Sequence, residues 1–399
     1  MSACHLCRSS PVEVLLDFER QPICNRLLSD PTEDEYTHTL VMGQCEACGL
    51  VQLINTPAPP GELRPRYEWM IYREPETHLD ELAERLMQLP GITKDSTVCG
   101  ISFKDDSLLE RMRRLGVART WRMELGRDLG IAGRGAGVEM IQDRLDDARS
   151  AEAARRHGRP DVVIARHILE HAHDLQKFTA ALKTLVSPTG YIVLEAPDCT
   201  KALETFDYTT LWEEHILYFT PETFVRYHAL HGFSLLAFSV FPYAVENSLV
   251  GVARVAAAPR RASEDVLRRE RARAKAFAEQ FHGQRERLRR WLADYRRTTG
   301  KVALFGAGHL GCAFINFLGL QEHIEFIVDD HPQKQGLFMP GSRLPIRGSD
   351  ALLRGEIRLC LLGLNPDSEE RVIERHRPFL EQGGSFASIF SASKYALSV

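Results

Sequence analysis

The chain has no apolar run close to the roughly 18–20 residues that a membrane-spanning helix requires. It has no excess of one charge either. Its 50 Lys and Arg stand against 54 Asp and Glu, a net of −4, which leaves no global electrostatic case for a nucleic acid or a membrane surface as partner. The first residues lack the charged-then-apolar pattern of a secretory leader, so the protein is expected to stay in the cytoplasm. The nine cysteines are odd in number and irregularly spaced, and in a reducing compartment paired cysteines point to metal before disulfide. The rest is ordinary for a globular protein, with 44% hydrophobic and 26% charged residues. The length of 399 residues allows two to four domains of about 100–200 residues each.

Two C-x2-C knuckles, Cys4-His-Leu-Cys7 and Cys45-Glu-Ala-Cys48, stand at the N-terminal end. Two residues between thiolates let both sulfurs face one ion, and four sulfurs describe a closed, structural zinc site. The interval between the knuckles is expected to carry a small β-rich insertion, with strands over 12–16 and 36–42. Cys24 lies off the knuckles and reads as a packing residue.

From about residue 95, strand and helix patterns alternate: strands over 97–101, 120–124, 161–166 and 191–195, helices over 108–115 and 175–186. This order predicts a parallel sheet with helices on both faces, and ligands beyond the carboxyl ends of its strands. The turn after the first strand carries Asp105 and Asp106, and Glu124 ends the second, where ribose hydroxyls are gripped, an order that points to a nucleoside cofactor. Gly100 and Ser102 join Asp105 and Glu124 as candidate cofactor contacts through the resemblance described below. His167, His171 and His173 follow the third strand. His167 and His171 are four apart, which gives them one face of a helical turn, and His171 is the preferred pocket residue. The stretch Phe206 to Phe219 is the most chemically loaded. Its Glu214-His215 pair places an imidazole that titrates near neutral pH beside a carboxylate able to orient it.

Residues 263–297 predict one long helix, capped by Ser263 with Glu264 and Asp265 in its first turn. Phe277, Phe281, Leu288, Trp291, Leu292 and Tyr295 form its apolar stripe, and the arginine-rich opposite side reads as a solvated face. A strand over 301–305 then leads into Gly306-Ala-Gly308-His-Leu-Gly311 and a helix. A further strand over 324–328 ends in Asp329-Asp330. A G-x-G-x-x-G turn in this context lets a phosphate sit on the helix N-terminus, and three readings stay open: NAD(P), the diphosphate of a nucleotide-sugar, or no ligand. Asn365, after a strand over 359–364, is placed at the same cleft.

Several of these segments together resemble the sugar C-methyltransferases. They are the knuckles, Gln21-Pro-Ile-Cys-Asn25, Cys48-Gly-Leu-Val-Gln-Leu53, Glu214-His215-x-x-Tyr218-Phe219, Val328-Asp-Asp-His-Pro-Gln-Lys334-Gln-Gly336 and Met339-Pro-Gly-Ser-Arg-Leu-Pro-Ile346. The resemblance implies an α/β chain of four parts: a zinc-binding module (1–75), a class I methyltransferase-like Rossmann domain (76–258), a linker helix (259–299) and a second Rossmann-like domain (300–399). It implies S-adenosylmethionine as cofactor and a deoxy-keto sugar carried on a nucleotide as substrate, methylated at carbon 3 through an enolate. His215 matches the family's base, Glu214 its orienting carboxylate, and His171 a histidine of the sugar pocket. Lys334 falls in the last domain's motif, among its candidate nucleotide contacts. The chain departs from the family where Ser102 and Asp106 replace glycines of the cofactor turn, Trp212 replaces a tyrosine, Glu213 a histidine and Val250 an arginine. These departures keep two alternatives open: a non-methylating isomerase or NAD(P)-dependent enzyme acting on a nucleotide-sugar, and a non-catalytic binding relic. No nucleic-acid or membrane partner is expected, and the sequence leaves the oligomeric state open.

Overall fold

The computed structural model of the chain describes residues 3–9, 11–67, 69–70, 74–132, 136–256 and 263–399. The expected boundary between central domain and linker, at 258/259, lies outside them. None of the helices is long and apolar enough to cross a membrane, among the described residues.

The N-terminal module contributes strands β1 (Val12–Pro22), β2 (Thr37–Cys45) and β3 (Val51–Leu53), paired antiparallel in that order. The central domain contributes β4 (Thr97–Gly100), β5 (Arg119–Arg122), β6 (Val162–Arg166), β7 (Tyr191–Asp198), β8 (Leu217–Tyr218), β9 (Phe233–Phe241) and β10 (Asn247–Val255). Six of these form one sheet in the order β5-β4-β6-β7-β10-β9. Its first four strands are parallel, and β10 runs antiparallel to both β7 and β9. Every residue of β6 and β7 is buried, as expected of strands with helices on both faces. The chain leaves β4 for one side of the sheet and β6 for the other. The switch point, and the crevice it opens, therefore lies beyond Gly100 and Arg166.

The helix Glu264–Thr298 has 35 residues and so spans about 52 Å. Ser263 caps it, accepting from the Val266 N–H at 3.3 Å, and Phe277, Phe281, Leu288 and Leu292 bury its stripe. Beyond it, β11 (Lys301–Phe305), β12 (Ile327–Val328), β13 (Ile346–Arg347), β14 (Ile357–Leu362) and β15 (Ser385–Ser388) form a parallel sheet ordered β13-β12-β11-β14-β15.

The strands and helices read from the sequence are present with ends shifted by a few residues. The largest shift is at β1, which runs six residues past the end expected at 16, while β12 covers only the last two residues of the strand expected over 324–328. The antiparallel pair β9/β10 was not expected. Its outer strand is half-exposed and lacks the buried apolar run that marks β6 and β7.

The parts do not pack as separate beads. One hydrophobic cluster runs from Leu16 and Phe18 through Phe178 and Tyr208 to Phe281 and Phe317. Phe18 of β1 sits between Phe281 (centroids 5.0 Å apart) and Phe317 (4.6 Å). The Met339–Ile346 segment clasps the N-terminal module. Phe338 bridges Leu28, the Gly341 N–H donates to the Glu35 carboxylate at 3.0 Å, and Arg343 pairs with Glu35 at 3.2 Å.

Candidate active site and zinc centre

Cys4 and Cys7 lie on the turn before β1; Cys45 ends β2 and Cys48 begins the turn into β3. Gly49 makes that turn at φ +77 and donates its N–H to Cys45 O at 2.8 Å. The four sulfurs lie within 4.8 Å of one another, with Cys4–Cys48 and Cys7–Cys45 both at 3.5 Å. Four ligands around one tetrahedral zinc sit about 3.8 Å apart, so the cluster fits the ion closely.

The zinc sheet does not end at β3. Its fourth strand is β8, taken from the central domain, with Val51 opposite Tyr218 and Gln52 opposite Leu217. The knuckle-to-strand segment Cys48–Leu53 is therefore hydrogen-bonded directly to the stretch that carries His215. A second tie comes from the Gln21–Asn25 segment. The Cys24 N–H donates to Glu213 at 2.5 Å, and Asn25 Nδ2 donates to Glu214. Cys24 itself is buried, as the sequence indicated.

At the switch point the structure corrects part of the expected cofactor set. Asp105 is fully enclosed. Its carboxylate accepts the N–H groups of Ile101 (2.7 Å), Ser102 (2.8 Å) and Arg166 (2.8 Å), so it staples the turn and reaches no ligand. Burial nonetheless raises its pKa to about 7. Gly100 packs against that staple: a Cβ there would lie 2.8 Å from the Asp105 Cβ, so the turn itself requires glycine here. Ser102 is a buried cap for Phe103–Asp105, at an extended φ of −129. Asp106 is helical at φ −55 and turns its carboxylate to Arg122 at 3.4 Å. Neither of these positions needs glycine, so the two glycine losses leave the backbone path unstrained. Glu124 stays half-exposed beside the turn, paired with Arg127, and remains placed to meet a ligand.

Beyond β6 a buried charge network fills the crevice floor. Arg166 donates to Glu195 at 2.5 Å, and His167 Nε2 and His78 Nε2 lie 3.0 and 3.2 Å from the other Glu195 oxygen. His167 adopts φ +46, a left-handed conformation rare for a residue with a side chain. Burial opposes its charge, but the carboxylates of Glu74 and Glu195 outweigh it and lift its pKa to about 10. Lys104 pairs with Glu74 at 2.5 Å above them. His167 and His171 do not share a face. His167 turns to Glu195, while His171 places Nδ1 2.8 Å from Glu139 Oε1.

His215 meets the edge of His171 at 4.6 Å between centroids and lies 5.1 Å from Trp212. Burial, with the nearby charge of His171, holds its pKa well below the ordinary range. No hydrogen bond or ion pair joins Glu214 to His215 among the described residues. Glu214 faces Asn25 and Glu139 instead, and the ring against which His215 rests is that of His171.

The C-terminal glycine turn is also used internally, which counts against the dinucleotide among its three readings. Asp329 accepts the Ala307 N–H at 3.0 Å, one of the donors a phosphate would need. Lys334 donates to both Ala307 O and Asp329 at 2.8 Å. A Cβ at Gly306 would lie 2.6 Å from Gly363 O, and one at Gly311 2.5 Å from Gly306 O, so these two glycines serve close packing. Only Gly308 faces open space. Between the last two, His309 crosses to the central domain and stacks on Trp212 at 4.4 Å and 11°. Asn365 caps the helix Pro366–Arg375, accepting from the Asp367 N–H.

Sequence reading missed His309, Glu139, Glu170 and Glu195. His309 was hidden by the motif that contains it. Glu139 sits on a short helix that carried no periodic signal, and Glu170 and Glu195 were covered by neighbouring features.

Three family models match the chain in order: "Putative zinc binding domain" over 4–63, "Methyltransferase domain" over 77–237 and "C-methyltransferase C-terminal domain" over 245–390. The curated relative C-methyltransferase NovU of Streptomyces niveus is 27% identical, covering 96% of this chain and 94% of its own. Among solved structures, the CcbJ methyltransferase of Streptomyces caelestis shares 14% identity at a TM-score of 0.30, over 48% of this chain and 94% of that one. An S-adenosylmethionine-dependent methyltransferase of Clostridium acetobutylicum shares 9% at 0.32, over 46% and 93%. Scores this low support no residue-level comparison. The three matches follow one another along nearly the whole chain, and over the same length the chain is similar to a C-methyltransferase.

Proposed function

We propose that the protein methylates a carbon beside the ketone of a nucleotide-linked keto-sugar, using S-adenosylmethionine. One observation carries the placement of the reaction. Of residues 211–220, nine are buried and His215 alone is partly exposed. A stretch packed this tightly between three domains, with one imidazole left reachable, is arranged to present that ring.

His215 is the base that takes the proton beside the ketone. His171 fixes the plane of the ring from its edge, and Trp212, backed by His309, closes the far side against water. Residues 101–104 and Glu124 would hold S-adenosylmethionine, whose contribution when bound is an electrophilic methyl group. The turn's unstrained path and the half-exposed Glu124 support that assignment. The sugar substrate and the enolate route rest on the motif resemblance and on the reachable imidazole.

The test pairs binding with turnover. Calorimetric titration should show S-adenosylmethionine binding to the wild type and to His215→Asn alike, and weakened binding to Glu124→Ala. Methyl transfer to nucleotide-linked 4-keto sugars should fall about 10²–10⁴-fold in His215→Asn, the range for losing a general base. Absence of cofactor binding in the wild type, or near-normal turnover in His215→Asn, would overturn the reading.

A further inference from the structure

Behind His215 lies a second group of ligand-type side chains, of which the methyl-transfer reading uses only the edge of His171. Glu139, His171 and Glu214 bring one nitrogen and two carboxylate oxygens within 4.8 Å of one another, and Glu170 reaches the same neighbourhood through His171 and His215. All four are deeply buried: Glu139 at 2% exposure, Glu170 at 1%, His171 at 4% and Glu214 at 6%. The group is preorganised. The carbonyl of Glu170 accepts the N–H groups of Ile216 (2.8 Å) and Leu217 (3.1 Å), and Asn25 anchors Glu214.

A second observation points to a ligand. His171 Nδ1 and Glu139 Oε1 are 2.8 Å apart, yet neither makes an aligned hydrogen bond there, and both are buried without any other partner among the described residues. Glu170 Oε2 is likewise buried and unpartnered. Donor atoms that close and that misaligned are what two ligands of a common ion look like. With metal–ligand bonds of about 2.1 Å at right angles, the edge between them is about 3.0 Å. Three carboxylates gathered away from water, with Asn25, His167 and His171 as their side-chain neighbours, also carry a desolvation cost that a cation offsets.

We propose that Glu139, His171 and Glu214, with Glu170 within reach, form a second metal site, distinct from the four-cysteine centre, for a divalent first-row cation. One imidazole and carboxylate oxygens suit manganese, cobalt or zinc, and the set contrasts with the all-sulfur N-terminal site. His215 lies outside the ligand set and keeps its role as base. The inference does not depend on the methyl-transfer reading, because a metal count needs no turnover.

The experiment is equilibrium dialysis of the zinc-replete full-length protein against Mn²⁺, Co²⁺ and Zn²⁺ in turn, with metal counted per chain by mass spectrometry. The wild type is expected to hold one ion beyond the cysteine-bound zinc. Glu139→Gln and His171→Asn should each weaken that ion at least tenfold and retain the first zinc, which also reports that the variants are folded. A single ion per chain with all three metals would overturn the proposal. So would a second ion bound equally well by both variants, which would place it elsewhere, and the two carboxyls of Glu139 and Glu214 would then be left sharing a proton.

Discussion

A buried histidine far from the cleft shows how single residues set the pH response. His228, on the helix Pro221–Leu230, is wholly buried among Phe224, Tyr227, His231 and Phe233, with Nδ1 2.8 Å from Phe224 O. Burial lowers its pKa to about 4; the Phe224 carbonyl opposes the shift and His231 adds to it. No carboxylate contributes to the shift. The unfolded chain therefore binds a proton that the folded chain refuses between about pH 6.5 and pH 4. This group's stabilisation is complete above pH 6.5 and is lost as pH falls through that window. His228→Gln, which cannot titrate, should flatten the pH dependence of unfolding there by up to about 1.4 kcal/mol per pH unit. Urea unfolding at pH 4.5, 5.5 and 7 checks this, and parallel wild-type and variant profiles would count against it. Legibility at this scale followed locality. The knuckles were readable because their chemistry is written in a spacing of three. The use of Asp105 was not, because its partner Arg166 comes from another strand, 61 residues on, and only the fold brings it to the turn that holds Ile101 and Ser102.

Elements couple the zinc centre to the catalytic stretch. The strand β8 has two residues and no pattern of its own; it exists because β3 offers it a ladder, reinforced by the Leu53 N–H donating to Ile216 O at 2.9 Å. No sequence rule finds such a strand, whereas the alternation of β4 to β7 with helices was legible from its buried runs. The coupling has a measurable outcome. Removing zinc by chelation, or by Cys48→Ser, should abolish methyl transfer although none of the four cysteines lies among the residues assigned to the cleft. Amide exchange should then accelerate across residues 211–219 as well as in the knuckles. Exchange that rises in the knuckles alone, with activity intact, would show that the strand pairing does not carry order from one to the other.

For the molecule as a whole, the shared core ties the stability of each part to the others. Phe18 belongs by sequence to the zinc module, yet it is packed on the long helix and on the C-terminal domain. Phe18→Ala is expected to cost about 3–5 kcal/mol. The loss should shift one cooperative thermal transition, seen alike by zinc release and by calorimetry. A separate early transition of the N-terminal module, with the remainder unchanged, would contradict that. The four-part order was legible from motifs and periodicity. The way the parts close on one another was not, since the Met339–Ile346 clasp, the Phe18 wedge and the His309–Trp212 stack each join positions far apart in the chain.

The borrowed strand also bears on how the protein is made. The ribosome delivers the zinc module first, but that module's sheet stays one strand short until residue 217 has emerged. Throughout synthesis of the intervening domain, β3 shows an open hydrogen-bonding edge, the kind of surface on which nascent chains pair with one another. The first part to appear is thus among the last to be finished, and a growing chain must keep that edge guarded until its own later segment arrives to cover it.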